Sequence, residues 1–395
     1  MKIGIFGNTN NVPLALAIGL RQLGMETTLV VNRKELLHRP ESRYPEWKVQ
    51  YPPWIVDASD ISEEDFITGA YHVADVINAL THRSDAVILN DVGPSLASEI
   101  QLPHACLLTG SDVTYYADYQ SLSVVEREFS PAYRESVGYH YFMKLRRAFI
   151  KRQRQGIASA RFVHVALPGT VPRIDQIMKQ LHVLGHRRIG NYITHAPIEM
   201  CHGQQNNRLT ILNGCRIQWY EKGSKAYDSL DNKGTNTLVK GFQEFIQRGH
   251  EGRLQLIAKG PDVDRLKMLI EDCHLEKYVE WYDELSMRDY YDLVSRADIV
   301  CDQFGTTTPG LVTMDAMAMG KPVVANFNLN VLKLHYPALN FACDADSSES
   351  VADWFTSLHD SPGLRESVGK MSKDFILDHC SPQAVAKKYI ERFGW

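Results

Sequence analysis

Cys301-Asp302-Gln303-Phe304-Gly305-Thr306-Thr307-Thr308-Pro309-Gly310-Leu311-Val312-Thr313-Met314-Asp315-Ala316-Met317-Ala318-Met319-Gly320-Lys321-Pro322-Val323-Val324 holds the pattern from which the fold follows. The apolar run from Asp298 to Phe304 reads as a buried strand, and a loop of small residues follows it. Leu311 to Met319 reads as a short helix, Gly320 as its stop, and Pro322 to Phe327 as a second buried strand. Pro309-Gly310 at the helix start lets the amides of Leu311 and Val312 approach an anion, where the helix dipole adds to the attraction. Asp315 lies about one turn further in. On the residues alone it either complements that dipole, for roughly 0.3 to 1 kcal/mol, or contacts a ligand.

Outward from this stretch the same alternation continues. In the second half, strands are expected at Leu209 to Asn213, Arg253 to Lys259 and Val279 to Tyr282. Helices are expected at Thr235 to Gln247, Asp262 to Cys273 and Ser286 to Arg296. In the first half, Lys2 to Phe6 reads as a strand, Gly7-Asn8-Thr9-Asn10-Asn11 as a loop, and Pro13 to Gly24 as a helix with Pro at its start and Gly at its end. Strands follow at Glu26 to Val31, Ala86 to Asn90, Ala105 to Thr109 and Arg161 to Leu167, with a long helical region from Val124 to Ile157. Regular strand–helix alternation means a parallel sheet covered on both faces. Two such units are expected, joined near the polar stretch His195 to Asn207. The division is then 1–200 for an N-terminal Rossmann-like domain and 201–380 for a C-terminal one, with a helix at 381–395 packing back on the first. The two would face each other across a cleft, with ligands at the carboxyl ends of the strands. The first loop has only Gly4 and Gly7 before its asparagines and lacks GxGxxG, which removes the usual mark of a dinucleotide oxidoreductase.

Composition narrows the function classes. The chain has 395 residues, 44% of them apolar and 23% charged, so it is globular and long enough for two full cores. Forty-three Lys plus Arg against 47 Asp plus Glu give a formal charge of -4, which excludes a bulk electrostatic case for nucleic acid. Any anion site must be local. Seven cysteines, never in CxxC spacing, read as reduced thiols in a cytoplasmic protein. No run is long and apolar enough for a spanning helix, and the apolar start is too short for a signal peptide.

The quoted stretch resembles the signature of the family 4 glycosyltransferases, retaining sugar transferases of the GT-B fold. In that signature an acidic residue, Ala-Met-Ala and Gly-Lys-Pro-Val-Val follow a Gly-rich phosphate loop. The resemblance places Asp315 at the family's second acidic residue, which binds the ribose of the nucleotide, and Thr307 at the position of the first. Asp302-Gln303 before the loop resembles a bacterial branch in which backbone amides take more of the donor. Asp231-Asn232-Lys233-Gly234-Thr235 resembles the family's Lys-Gly element and Arg216 its partner arginine, provided Ile217 to Leu230 loops out. Thr109-Gly110-Ser111-Asp112 resembles a His-Gly-Ser-Asp element, with Thr in place of His.

The resemblance implies a retaining glycosyltransferase that takes a nucleotide-diphosphate sugar. Pro309, Gly310, Leu311 and Val312 with Arg216 and Lys233 would hold the diphosphate, Asp315 the ribose, and the backbone at Trp281-Tyr282 the base. Fixed cations stabilise the charge that grows on the leaving phosphate. The acceptor, a saccharide, lipid-linked or small-molecule hydroxyl, would meet Gly7, Asn8, Asn10, Asn11, Thr109, Ser111 and Asp112. No metal is expected. Two other readings stay open: a sugar-nucleotide epimerase, and a noncatalytic GT-B subunit that binds a sugar nucleotide.

Elsewhere, Lys144, Arg146, Arg147, Lys151, Arg152, Arg154 and Arg161 form a basic segment with an apolar side. It reads either as a solvated helix face or as a peripheral contact with an anionic membrane at its inner face. Asp344-Ala345-Asp346 reads as a helix-start loop. His195, Cys201 and His202 show no zinc spacing.

Overall fold

The computed structural model describes residues 1–69, 73–190, 192–196, 208–224 and 231–395. Two compact units result: Met1–Ile193 with Pro382–Trp395, and Thr194–Ser381. In the first, β1 (Lys2–Phe6), β2 (Glu26–Val31), β3 (Ile55–Asp57), β4 (Ala86–Leu89), β5 (His104–Leu107), β6 (Val163–His164) and β7 (Arg188–Ile189) form one sheet in the order β3-β2-β1-β4-β5-β6-β7. Every pairing in it is parallel. Side chains alternate across the sheet with period two, so Val87 and Leu89 enter one core while Ala86 and Ile88 enter the other. Both faces are therefore apolar, as a parallel sheet requires. One core is closed by the Val73–Thr81, Val137–Ser159 and Pro172–Gln180 helices, and the other by the Val12–Gln22 and Pro382–Phe393 helices.

The Pro382–Phe393 helix approaches the Val12–Gln22 helix so closely that a Cβ on Gly19 would lie 2.2 Å from the Pro382 carbonyl oxygen. Tyr389 is fully buried there, edge-on to Phe162 at 5.1 Å, with its hydroxyl 2.9 Å from His164 Nδ1.

The second unit pairs β8 (Leu209–Asn213), β9 (Gly252–Ile257), β10 (Val279–Tyr282), β11 (Ile299–Cys301), β12 (Val323–Ala325) and β13 (Cys343–Asp344) in the order β10-β9-β8-β11-β12-β13, again all parallel. Strand order reverses between β1 and β4 in one sheet and between β8 and β11 in the other. Loops that leave the carboxyl ends of these strands therefore border a crevice.

Three differences from the sequence pattern have local causes. The long helical region breaks into Ser121–Arg127, Pro131–Arg134 and Val137–Ser159, because the hydroxyls of Ser130 and Ser136 accept the amides of Tyr133 and Tyr139 and start new helices. Edge strands β3, β7 and β13 are two or three residues long, too short for any periodicity to mark them. A helix at Ser348–Asp360, opened by a capping box between Ser347 and Ser350, follows the Asp344-Ala345-Asp346 loop. Among the described residues no disulfide forms. Most of the expected junction, 197–207, and with it Cys201 and His202, lies outside the described residues.

Two buried side chains tie the loops at the carboxyl edge of the first sheet. Asn90 accepts the Thr9 amide at 3.0 Å and donates to the Leu107 carbonyl at 2.7 Å and to Asp112 Oδ2 at 3.2 Å. Asp112 accepts the amides of Thr109 and Gly110 at 2.8 to 2.9 Å and folds its own turn back on the strand end. Burial pushes the Asp112 carboxyl up to about 7, against the pull of those two amides. A carboxyl raised in the folded state stabilises the protein at low pH. That contribution is whole below the unfolded value of about 4 and is lost as pH rises through about 7. We expect wild-type stability between pH 4 and 7 to fall relative to Asp112→Asn, with the gap closing in the variant's favour; urea denaturation of both proteins at a series of pH values checks this. Tyr389→Ala should cost about 3 to 5 kcal/mol in the same assay, since it empties a fully enclosed ring site.

Candidate functional site

The loop after β11 is organised by a buried carboxylate. Asp302 Oδ2 accepts the Gly310 amide at 2.8 Å, the Thr313 amide at 3.2 Å and the Thr313 hydroxyl at 2.7 Å. It thereby caps the Leu311–Ala318 helix from the far side of the loop, which the helix start lacks from its own N-cap, Gly310. Only glycine fits at 310, because a Cβ there would lie 2.7 Å from Asp302 Oδ2. This corrects one expectation: the Gly310 amide is spent on a protein carboxylate. The next two amides, Leu311 and Val312, have no acceptor among the described residues. Beside them the hydroxyls of Thr306 and Thr308 are buried without a hydrogen-bond partner.

Lys233 comes to the same loop. Its ammonium donates to Gln303 Oε1 at 2.8 Å, and Gln303 in turn donates to the Thr308 carbonyl. The backbone reinforces this: Phe304 donates to the Lys233 carbonyl at 2.8 Å, and Gly234 (φ +62°) sits where a Cβ would be 2.4 Å from the Gly305 amide nitrogen. Burial pulls the Lys233 ammonium below the usual lysine range, while the Asp302 carboxylate opposes that shift. Burial likewise pushes Asp302 up, held back by Thr313 and Lys233. The pair is thus a partly desolvated cation and anion, which an incoming second anion would rebalance.

Arg216 is half-exposed in an ion pair with Asp231 and lies close enough for its charge to act on Lys233. The two expected cations are brought to one edge, joined through the Lys233 amide on the Gln218 carbonyl at 2.9 Å. The segment between them does not simply loop out. Ile217 and Trp219 enter the core of the second unit, with Arg265 stacked over the indole at 4.1 Å, and 225–230 lie outside the described residues.

Asp315 is only 2% exposed. Its Oδ1 accepts the Thr194 hydroxyl at 3.0 Å and the His195 amide at 3.1 Å, and its Oδ2 the Tyr291 hydroxyl at 3.1 Å. The helix has no acidic residue in its first turn, so Asp315 does not serve the dipole as expected. Its structural role is to hold three segments of the second unit together. Tyr282 ends β10; its carbonyl accepts the Ala258 amide at 2.8 Å and its hydroxyl accepts from Gln255 at 3.0 Å.

In the first unit the asparagines divide. Asn8 and Asn11 are fully buried and hold the 37–42 loop: Asn8 donates to the His38 carbonyl at 2.8 Å, Asn11 to the Leu37 carbonyl at 3.0 Å and to Ser42 at 2.9 Å. Both Asn10 (φ 54°) and Asn11 (φ 59°) are left-handed, and the Asn10 amide donates to His38 Nδ1 at 2.9 Å. Asn10 stays partly exposed, whereas Gly7 is pressed against Asn90. Asp112 is buried in its turn, with Thr109 and Ser111 at the surface beside it. A neighbouring chain of polar contacts was not foreseen: Arg33 forks onto Asp91 at 2.8 and 2.9 Å and donates to the Tyr116 hydroxyl, which donates to Glu63, which accepts Arg146. These partners stand far apart in sequence, so spacing carries no sign of them.

The basic segment is not one face. Arg146 is buried on Glu63, Arg152 donates to the Phe66 and Ile67 carbonyls, and Arg154 to the Ala117 carbonyl. Lys144, Arg147, Lys151 and Arg161 remain exposed.

Known proteins resemble this chain in fold and in part of its sequence. Residues 228–375 match the family described as glycosyl transferases group 1. A D-inositol 3-phosphate glycosyltransferase of Corynebacterium jeikeium is 24% identical over 170 residues, which is 41% of this chain and 38% of that protein's length. Among solved structures, Anabaena HepE in complex with UDP-glucose superposes with a TM-score of 0.63 at 14% identity, covering 100% of this chain and 99% of that one. A sucrose-phosphate synthase from Thermosynechococcus elongatus gives 0.61 at 12% identity over 100% and 98%. The chain thus has two parallel-sheet Rossmann-like units of the GT-B kind, and its residues 228–375 are similar to the group 1 glycosyl transferases.

Proposed function

We propose that the protein is a retaining glycosyltransferase that moves a sugar from a nucleotide-diphosphate donor to a hydroxyl of a saccharide, lipid-linked or small-molecule acceptor. The observation that carries this reading is the convergence on one loop of the Lys233 ammonium, the Leu311 and Val312 amides and the hydroxyls of Thr306 and Thr308. The two amides and two hydroxyls have no acceptor among the described residues, Lys233 adds a charge beside them, and a diphosphate is an acceptor with matching charge. Arg216 supplies a second cation once released from Asp231. HepE, a protein of the same fold, binds UDP-glucose, which supports a sugar nucleotide as the donor.

In the transfer, the acceptor oxygen bonds to the anomeric carbon, the bond from that carbon to the leaving phosphate oxygen breaks, and the acceptor proton passes to that phosphate oxygen. No enzymic nucleophile is required. The protein stabilises the charge developing on the diphosphate, where a fixed cation contributes most in the transition state. The buried carboxylates favour transfer over epimerisation, because Asp302 and Asp112 are both occupied by backbone amides and neither is available as a cleft acid or base. No metal enters the proposal. Acceptor contact is assigned to Asn10, Thr109 and Ser111 on the first unit, and action in the cytoplasm is part of the same reading; no described helix is long and apolar enough to cross a membrane. The exposed Lys144, Arg147 and Lys151 are what remains to support a peripheral membrane contact.

Incubation with a panel of nucleotide-diphosphate sugars and acceptors tests the reading: a glycosylated product with retained configuration is expected, whereas binding without turnover would favour the noncatalytic subunit, to which Thr307 in place of an acid points. A nucleoside diphosphate at 100 times its dissociation constant should stabilise the protein by about 2.7 kcal/mol without added metal. Lys233→Ala should lower kcat by on the order of 100-fold, read in the same product assay. Asp315→Asn separates ligand contact from scaffolding. If the carboxylate takes the ribose hydroxyls, calorimetry should show ribonucleotide binding weakened by about 1.5 to 3 kcal/mol and the deoxyribonucleotide affected less. Equal losses for the two would leave Asp315 only its three protein partners.

A further inference from the structure

At the opposite edge of the second unit, three potential metal ligands converge. His250 precedes β9, and His359 and Asp360 end the Ser348–Asp360 helix. Their ligand atoms all lie within 4.8 Å of one another. Both imidazoles direct Nδ1 at the same carboxylate oxygen: His359 Nδ1 is 2.8 Å and His250 Nδ1 3.8 Å from Asp360 Oδ1. The rings are held by packing. His250 stacks on Phe245 at 5.0 Å with 12° between planes, His359 meets the same phenyl edge-on at 5.7 Å, and the two imidazoles are 4.9 Å apart. Phe245 is itself fully buried, so the anchor does not move with solvent.

We propose that His250, His359 and Asp360 form a binding site for a divalent transition-metal ion of the zinc class, with the fourth position open to water. Two imidazoles and one carboxylate are a common donor set for such an ion. Ligand atoms around tetrahedral zinc stand roughly 3.3 Å apart, given bonds of about 2.0 Å, so spacings of at most 4.8 Å need shifts on the order of 1 Å in side chains of which Asp360 is exposed and both histidines partly so. Its role is structural. The Thr235–Gln247 helix starts beside Lys233 and ends beside His250, which puts about 20 Å between this cluster and the donor loop. The site clamps the turn before β9 to the end of the Ser348–Asp360 helix, and it stands whether or not the donor proposal does.

The test uses untagged, full-length protein freed of metal by a chelator. Titration with Zn2+ should show one saturable equivalent, with a rise of several degrees in the melting temperature at saturation. His250→Gln and His359→Gln should each weaken the binding by on the order of 100-fold while leaving the metal-free melting temperature and nucleoside-diphosphate binding near wild type. Absence of saturable Zn2+ binding in the wild type, or binding that survives unchanged in both variants, overturns the proposal.

Discussion

Everything around the loop after β11 depends on one capping interaction, the Asp302 carboxylate on the amides of Gly310 and Thr313. It closes the loop from Gln303 to Pro309 into a fixed ring at the mouth of β11. It also forces glycine at 310 and holds the negative charge that keeps Lys233 in a buried place. Without Asp302 the helix would begin with unpaired donors and the lysine would lose its main counter-charge. The order of causes runs from cap to loop to cation, and the amides of Leu311 and Val312, without an acceptor among the described residues, are what the cap leaves over.

The same economy recurs around the molecule. Asp112 holds the turn after β5, and Asp315 binds a threonine hydroxyl and the next residue's amide from one segment and a tyrosine hydroxyl from another. Asp91 is forked by Arg33 and also accepts Asn32. Each buried carboxylate is committed to donors of the protein, as the cost of burying an unpaired charge demands. Chemistry is left to cations, hydroxyls and amides, which suits ligands that are phosphates and sugars.

The sequence was informative where local patterns repeat. β1, β2, β8 and β10 begin and end where their apolar runs do, and the Thr235–Gln247 helix follows its periodicity to both termini. The loop after β11 could be placed because its spacing and chemistry lie in one short motif, whereas Lys233 and Arg216, 17 positions apart, were linked only through the family resemblance. What stayed hidden is long-range. Gly310 reads as a ligand amide until Asp302 is seen to take it, and Asn8 and Asn11 read as acceptor contacts until they are seen to hold the 37–42 loop. Ile217 and Trp219 look like part of an insertion, yet they join a core whose members include residues of β8, β9 and the Thr235–Gln247 helix. His250 and His359 carry no shared motif; a phenyl ring between two helices brings them together.

The Pro382–Phe393 helix belongs to the first unit, although the whole of the second unit separates it from the Val12–Gln22 helix on which it lies. The chain leaves and re-enters the second unit at adjacent points, with the Thr194 amide on the Cys380 carbonyl at 3.0 Å. One unit is therefore inserted within the other. During synthesis the inserted unit can finish its core as soon as its own residues have emerged, whereas the first must wait with the Phe162 face of its sheet uncovered until the last helix arrives. Tyr389 then docks on Phe162 and His164. The unit made first is in this sense completed last, and the interval between is when the chain most needs protection from aggregation.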